Sequence, residues 1–422
     1  MTSDGPQDAC CPEYAEMSRR GVLRGALALG GATFLVGSAT VSASASSLRQ
    51  PRAILVVLSL RGGADGMSLV VPHGDPGYHK ARPTIGIPAS ELLVPDSMFG
   101  LHPKLAPLLP MWNAGKLTAI HATGLAVANR SHFSAMEEVE EAAPGSSQRV
   151  GWLNRLVGTD NHHSPLQGVG VASGPAPTEL LGPVPLMTVG SISDLDIAAD
   201  DQWDTDPKGK RRRSLTTMYE RDHSPIGRAM RSTLQATKDV APVLATKDNS
   251  ASYGGSDVGN ALAMAARIIR GKVGVEVLTV DQGDWDMHVD LGSLDGGHMV
   301  DHAHDLGRAL AAFFADLGDQ TDKVTLVTIS EFGRRTVENA NRGLDHGWGN
   351  VMLVAGAGVK GGRYYCRHWK PLSRDLEADL HVSTDYRHVL SEIVTARFSG
   401  APRSKVFPGI GAFTKLGFMQ SA

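Results

Sequence analysis

Residue types able to hold a metal or an anion gather in short polar stretches, each directly after a run of aliphatic residues. Asp65 lies in the turn Arg61-Gly62-Gly63-Ala64-Asp65-Gly66; Asp281, Asp284, Asp286 and His288 follow Val280; Ser330, Glu331 and Arg334 follow Ile329, with Asp345-His346-Gly347 soon after. A carboxylate and an imidazole two residues apart, as in Asp286 and His288, meet one ion where the backbone is extended or turning. A pair of this kind alone is more often a turn with a satisfied histidine. Their shared position after aliphatic runs is what points to a divalent metal ion, with Zn, Mn, Ca and Mg all compatible.

A second group, Asn129-Arg130-Ser131-His132-Phe133, precedes the helical-looking stretch Ser134 to Glu140. Ser131 at a helix start has two readings. It caps the helix, or it is a nucleophile whose anion the helix amides stabilise while His132 or a metal takes the proton. Arg334 suits a substrate oxygen through its planar fork. His298, His302 and His304 form a reserve set, on a helix that must also bury Leu306 and Leu310.

The elements that position these residues follow from hydrophobic pattern. Ala53 to Leu60 is apolar on both faces, as in the centre of a parallel sheet covered by helices. Similar runs recur at Leu117 to His121, Val273 to Asp281, Val324 to Ser330 and Val351 to Ala355. Helical spacing links Asp301, Leu306, Leu310, Phe313, Phe314 and Leu317, and again Leu390, Ile393 and Val394. The alternation predicts an α/β fold, a mostly parallel sheet flanked by helices on both faces, with ligands at the carboxyl ends of the strands. One domain is expected over 51–418. Its polar stretch near 200–256, including Lys208-Gly209-Lys210-Arg211-Arg212-Arg213, reads as a solvated insertion or a cap over a site.

Bulk properties narrow the function. With 422 residues and 42% hydrophobic composition the chain can bury a large core, and a formal charge of −3 gives no basic face for nucleic acid. At the N-terminus, Ser18-Arg19-Arg20-Gly21-Val22-Leu23-Arg24 is a paired arginine before a segment with no further charge until Arg49. Glycine, serine and threonine make that segment a poor permanent span, and Ala43 with Ala45 forms an A-x-A cleavage pattern. Residues 1–45 are therefore expected to be a twin-arginine signal peptide, read by the twin-arginine export machinery, which carries folded cargo to a periplasmic or extracellular location. The competing reading is an uncleaved anchor. Cys10 and Cys11 fall in the leader, leaving Cys366 alone and no intramolecular disulfide.

Several ordered motifs carry a resemblance over nearly the whole mature chain: RGGADGMSLVVP from Arg61, LHPKLAPL from Leu101, NRSHFSAMEEVE from Asn129, GWLNRL from Gly151, Asp286-Met287-His288, ISEFGRRTVEN from Ile329 and LDHGWGN from Leu344. In these the sequence resembles the domain-of-unknown-function 1501 family, whose members often carry a twin-arginine leader. That family in turn resembles the alkaline phosphatase and sulfatase superfamily at the level of fold. The resemblance implies an alkaline-phosphatase-like metal site that cleaves phosphate or sulfate esters. It casts Asp65 as the first-strand metal carboxylate, Asp286 and His288 as the middle ligand pair, Asp345 and His346 as the later pair, and Ser131 as the nucleophile. Glu331 stands at the strand end where that superfamily has an Asp-His, and joins the metal set. Two functions from different classes are thus expected: an exported metal-dependent hydrolase of anionic esters, or a non-catalytic exported protein of the same fold that binds a surface polymer or a partner protein.

Overall fold

The protein is described here from a computed structural model covering residues 49–160, 164–172, 174–192 and 210–420. The leader at 1–45 and the first part of the polar insertion, 200–209, lie outside the described residues.

The aliphatic runs become strands. In chain order they are β1 (Ile54–Leu60), β2 (Leu117–Gly124), β3 (Gly168–Val171), β4 (Met187–Val189), β5 (Val277–Gln282), β6 (Val324–Ile329), β7 (Asn350–Gly356), β8 (Tyr364–Tyr365) and β9 (Thr384–Asp385). They form one sheet in the order β8-β2-β7-β6-β1-β5-β3-β4, with β9 pairing β2. All pairings are parallel except the two made by β7, which runs antiparallel to β2 and β6. The fold class is thus the expected α/β architecture with a mostly parallel sheet. The reversed β7 follows from its connection, because the chain from β6 folds back on itself over residues 330–349 instead of crossing over through a helix.

Period two along β1 assigns the faces. Ile54, Val56, Leu58 and Leu60 face a core shared with α4 (Asp257–Arg270) and α5 (His298–Asp316), including Leu262, Leu306, Leu310 and Phe313. Leu55 and Val57 face the opposite core, built with α1 (His132–Glu141), α2 (Trp152–Val157) and α6 (Tyr386–Arg397). The remaining helix named here, α3 (Pro225–Asp239), belongs to the polar stretch. Ser256 starts α4 by accepting from the Gly259 amide, and at α6 Asp385 does the same for Arg387. Each such cap contributes about 1 kcal/mol. Among the described residues no helix is long and apolar enough to cross a membrane.

Candidate metal centre

The carboxyl ends of β2, β5 and β6 meet above the sheet. His132 is the first residue of α1, Asp286 and His288 lie in the turn after β5, and His346 lies in the 330–349 segment, where Arg334 and His346 form an antiparallel bridge. Close approach of these turns depends on glycine. Gly62 has φ +112°, and a Cβ there would stand 2.6 Å from the Asp286 amide nitrogen. An L side chain at this position is excluded both by conformation and by space.

Three imidazoles point their Nε2 atoms at Asp286 and at one another. His132 Nε2 and His288 Nε2 each lie 3.1 Å from His346 Nε2. Asp286 Oδ1 lies 3.0 Å from His288 Nε2 and 3.2 Å from His346 Nε2, and Asp286 Oδ2 lies 3.6 Å from His132 Nε2. One donor atom from each of His132, Asp286 and His346 falls within 4.8 Å of the other two.

The far side of each ring is also fixed. His132 Nδ1 is 2.8 Å from Glu331 Oε1, His288 Nδ1 is 3.0 Å from Asp345 Oδ1, and His346 Nδ1 is 2.9 Å from the Arg130 carbonyl. Carboxylates and carbonyls only accept, so each Nδ1 carries a proton, and a ring that holds no second proton presents its Nε2 lone pair inward. Outer-shell partners orient metal-binding imidazoles in this way. Two nitrogen lone pairs facing at 3.1 Å repel unless a proton or a cation sits with them. The donor set therefore fits a cation, and the fit rests on this convergence of lone pairs around one carboxylate.

The protonation pattern carries the same message. Burial disfavours a charged His132, yet hydrogen bonds to Asp286 and Glu331 outweigh it and push the imidazole up to about 9. Burial likewise raises Asp286, but hydrogen bonds from the three imidazoles and the nearby Arg334 charge hold that carboxyl well below the usual range. The cluster thus gathers positive charge at the point where the donor atoms of His132, Asp286 and His346 converge.

Four expected roles are corrected by geometry. Asp65 was expected as a ligand, but it is buried and both its oxygens are taken by Arg82, at 2.5 and 2.9 Å. Glu331 was expected in the same set, and instead accepts from His132, from the Gly62 amide and from Ser330, so it stands behind a ligand. Asp345 orients His288 and is itself held by Asn339 at 3.1 Å. Arg334, expected to bind substrate, is buried and donates to the carbonyls of Gly63, Leu344, Gly62 and Trp285 and to Asp286 at 2.6 Å. Its fork is used to clasp the three turns together, leaving none of its donors for a ligand.

His132, expected to take a proton from Ser131, supplies a donor to the cluster. Ser131 occupies the N-cap position of α1, half-buried, yet its hydroxyl makes no cap hydrogen bond. The reserve histidines sit on α5, where His302 bonds the His298 carbonyl and packs on Trp285. Asn339 and the Arg130 carbonyl were missed in the sequence. An Asn six residues before Asp345 carries no signal of its own, and a backbone carbonyl carries none at all.

Comparisons with known proteins add the following. Residues 52–384 match the family described as protein of unknown function (DUF1501). No curated relative matches the sequence. Among solved structures, a sulfatase from Pseudoalteromonas sp., PsFucS1, is similar at 11% identity and a TM-score of 0.37, over 88% of this chain and 74% of its own. A structure titled Ps i-CgsB aligns at 11% identity and 0.35, covering 86% and 76%. A phosphonate monoester hydrolase of Agrobacterium radiobacter aligns at 11% and 0.30, covering 77% and 72%.

Proposed function

The chain belongs to the DUF1501 family, matched over residues 52–384, and on that footing we propose that it is an exported, metal-dependent hydrolase of phosphate or sulfate esters. The observation that carries the metal is the inward set of His132, Asp286 and His346. His288 Nε2 accepts from Arg334 at 3.3 Å, so among the described residues three protein donors are assigned to the ion, the number that catalytic sites use. Imidazole-rich donors favour Zn2+ or another borderline ion over Ca2+ and Mg2+, which take oxygen ligands. When bound, such an ion acts as a Lewis acid towards an ester oxygen and the charge that develops on it.

The chain's own residues do the rest. Glu331 and the Arg130 carbonyl fix the rings of His132 and His346, and Arg334 fixes Asp286. Ser131, directly before His132 and with a hydroxyl that caps nothing, is the proposed attacking group. The ester class comes from the motif resemblance, and the two leader arginines supply the proposed twin-arginine route for residues 1–45.

Metal analysis of the purified mature protein with a panel of phosphate and sulfate esters tests this reading. Wild type should hold one divalent ion and turn over an ester; Asp286→Ala should hold none and be inactive. An absence of metal from both proteins refutes the centre, while bound metal without turnover of any ester leaves a polymer- or partner-binding protein. Export is tested separately by Arg19→Lys with Arg20→Lys, which should keep the protein in the cytoplasm on fractionation.

A further inference from the structure

A cavity of about 400 Å³ opens between α2, the segment 183–185 and the short helix Arg403–Val406. Small-molecule sites occupy roughly 300–1,000 Å³, so its size suits a small organic ligand. It is remote from the histidines. His132 begins α1, and Glu141, whose carbonyl meets Arg155 of this cavity, ends it; at 1.5 Å per residue the two lie roughly 14 Å apart. Among the described residues the cavity and the metal centre share none.

The walls sort by chemistry. Val150, Pro183, Val184 and Pro185 form an apolar side, and the Asn154 amide is taken up by the backbone of Leu180 and Val184. The polar side chains that remain are Arg155, Lys405 and Thr159, and no carboxylate lines the cavity among the described residues. Arg155 is half-buried. It gives Nε to the Val406 carbonyl at 2.9 Å, Nη1 to the Val150 carbonyl and Nη2 to that of Glu141. Carbonyls accept hydrogen bonds and leave the charge in place, and a guanidinium has five N–H donors, so two are left over. The acids of the adjoining segments are engaged elsewhere: Glu141 Oε1 takes Arg149 at 3.2 Å, and Asp160 takes Arg49 at 3.1 Å. Burial pushes the Arg155 guanidinium below its ordinary value, as it does a cation without a counter-ion. Lys405 is exposed and, like Arg155, forms no ion pair among the described residues.

We propose that this cavity binds a small organic ligand with a phosphate-type dianionic head and a compact apolar body. Two cations without an acid select an anion of matching charge. The free edge of a planar guanidinium beside an ammonium suits a phosphoryl group, which has several acceptor oxygens and a second charge near neutral pH. The Val150 and Pro183–Pro185 side takes the rest of the ligand. The inference stands on this cavity alone and does not rest on the hydrolase reading.

Calorimetric titration at pH 8 tests it with phenylphosphonate, whose P–C bond is no ester, and with benzoate and benzyl alcohol as singly charged and neutral analogues. Phenylphosphonate should bind Asp286→Ala, in which the histidine centre is disabled, with benzoate about tenfold weaker and benzyl alcohol without detectable binding. Adding Lys405→Glu or Arg155→Lys to Asp286→Ala should weaken phenylphosphonate about tenfold. Lys405→Glu, at an exposed position, decides the matter if Arg155→Lys does not fold. Benzoate or benzyl alcohol binding as tightly as phenylphosphonate, or unchanged affinity with Lys405→Glu, would overturn the proposal. So would binding to wild type that is absent from Asp286→Ala. That last outcome assigns the anion to the histidine centre, so failure here stays separate from failure of the hydrolase reading.

Discussion

Glu331→Gln isolates the charge behind His132 from its shape. Glu331 is 3% exposed, and its Oε1 accepts from both His132 Nδ1 and the Gly62 amide at 2.8 Å. Glutamine keeps an oxygen for those two donors and turns its amide towards Ser330 Oγ, which stands 3.1 Å from Oε2 and is able to accept. The fold should therefore lose no more than about 1 kcal/mol. What disappears is the negative charge that strengthens the imidazole as a ligand, and loss of such an outer partner lowers metal affinity about 10- to 100-fold, or about 1.4–2.8 kcal/mol. Competition of the purified protein against a chelator of known affinity reads this directly, with a thermal melt of the metal-free form as control. Affinity equal to wild type in a variant with an unchanged melt would refute the assignment of His132 as a ligand oriented by Glu331.

Other perturbations separate structure from chemistry. Arg82→Met leaves the Asp65 carboxylate buried without its cation, the two side chains being 0% and 2% exposed, and should cost about 3–5 kcal/mol in urea unfolding; the double change with Asp65→Asn should recover much of that. His121 is buried and pushed down to about 4 from its ordinary 6.5, with Nε2 at 2.9 Å from the Val70 carbonyl. The unfolded chain takes up that proton first, so stability is complete above pH 6.5 and falls by about 3 kcal/mol as pH drops towards 4; His121→Gln should flatten this part of the pH profile. Ser131→Ala should leave metal content and melting temperature within error, since the hydroxyl caps nothing, and abolish ester turnover; retained turnover removes Ser131 from the chemistry.

What the sequence made legible was whatever local pattern decides. A run such as Ile54-Leu55-Val56-Val57-Leu58 is buried on both faces in any fold that accepts it, so its strand and central place could be read directly. The direction of β7 could not, because it depends on how residues 330–349 fold back through the Arg334–His346 bridge. The site divides in the same way. Histidines and acids after strands were visible as types, but a carboxylate serves as ligand, orienter or counter-ion according to the group it meets. Asp65 met Arg82, Glu331 met His132 and Asp345 met His288; only Asp286 faces the Nε2 atoms of all three imidazoles. These partners come from different strand ends, so their identity is a property of the assembled sheet. The direction of each Nδ1 then determines which nitrogen faces the centre of the cluster, and with it the difference between the carboxylate placed to bind a metal in the proposed centre and one that stands a ring's width behind.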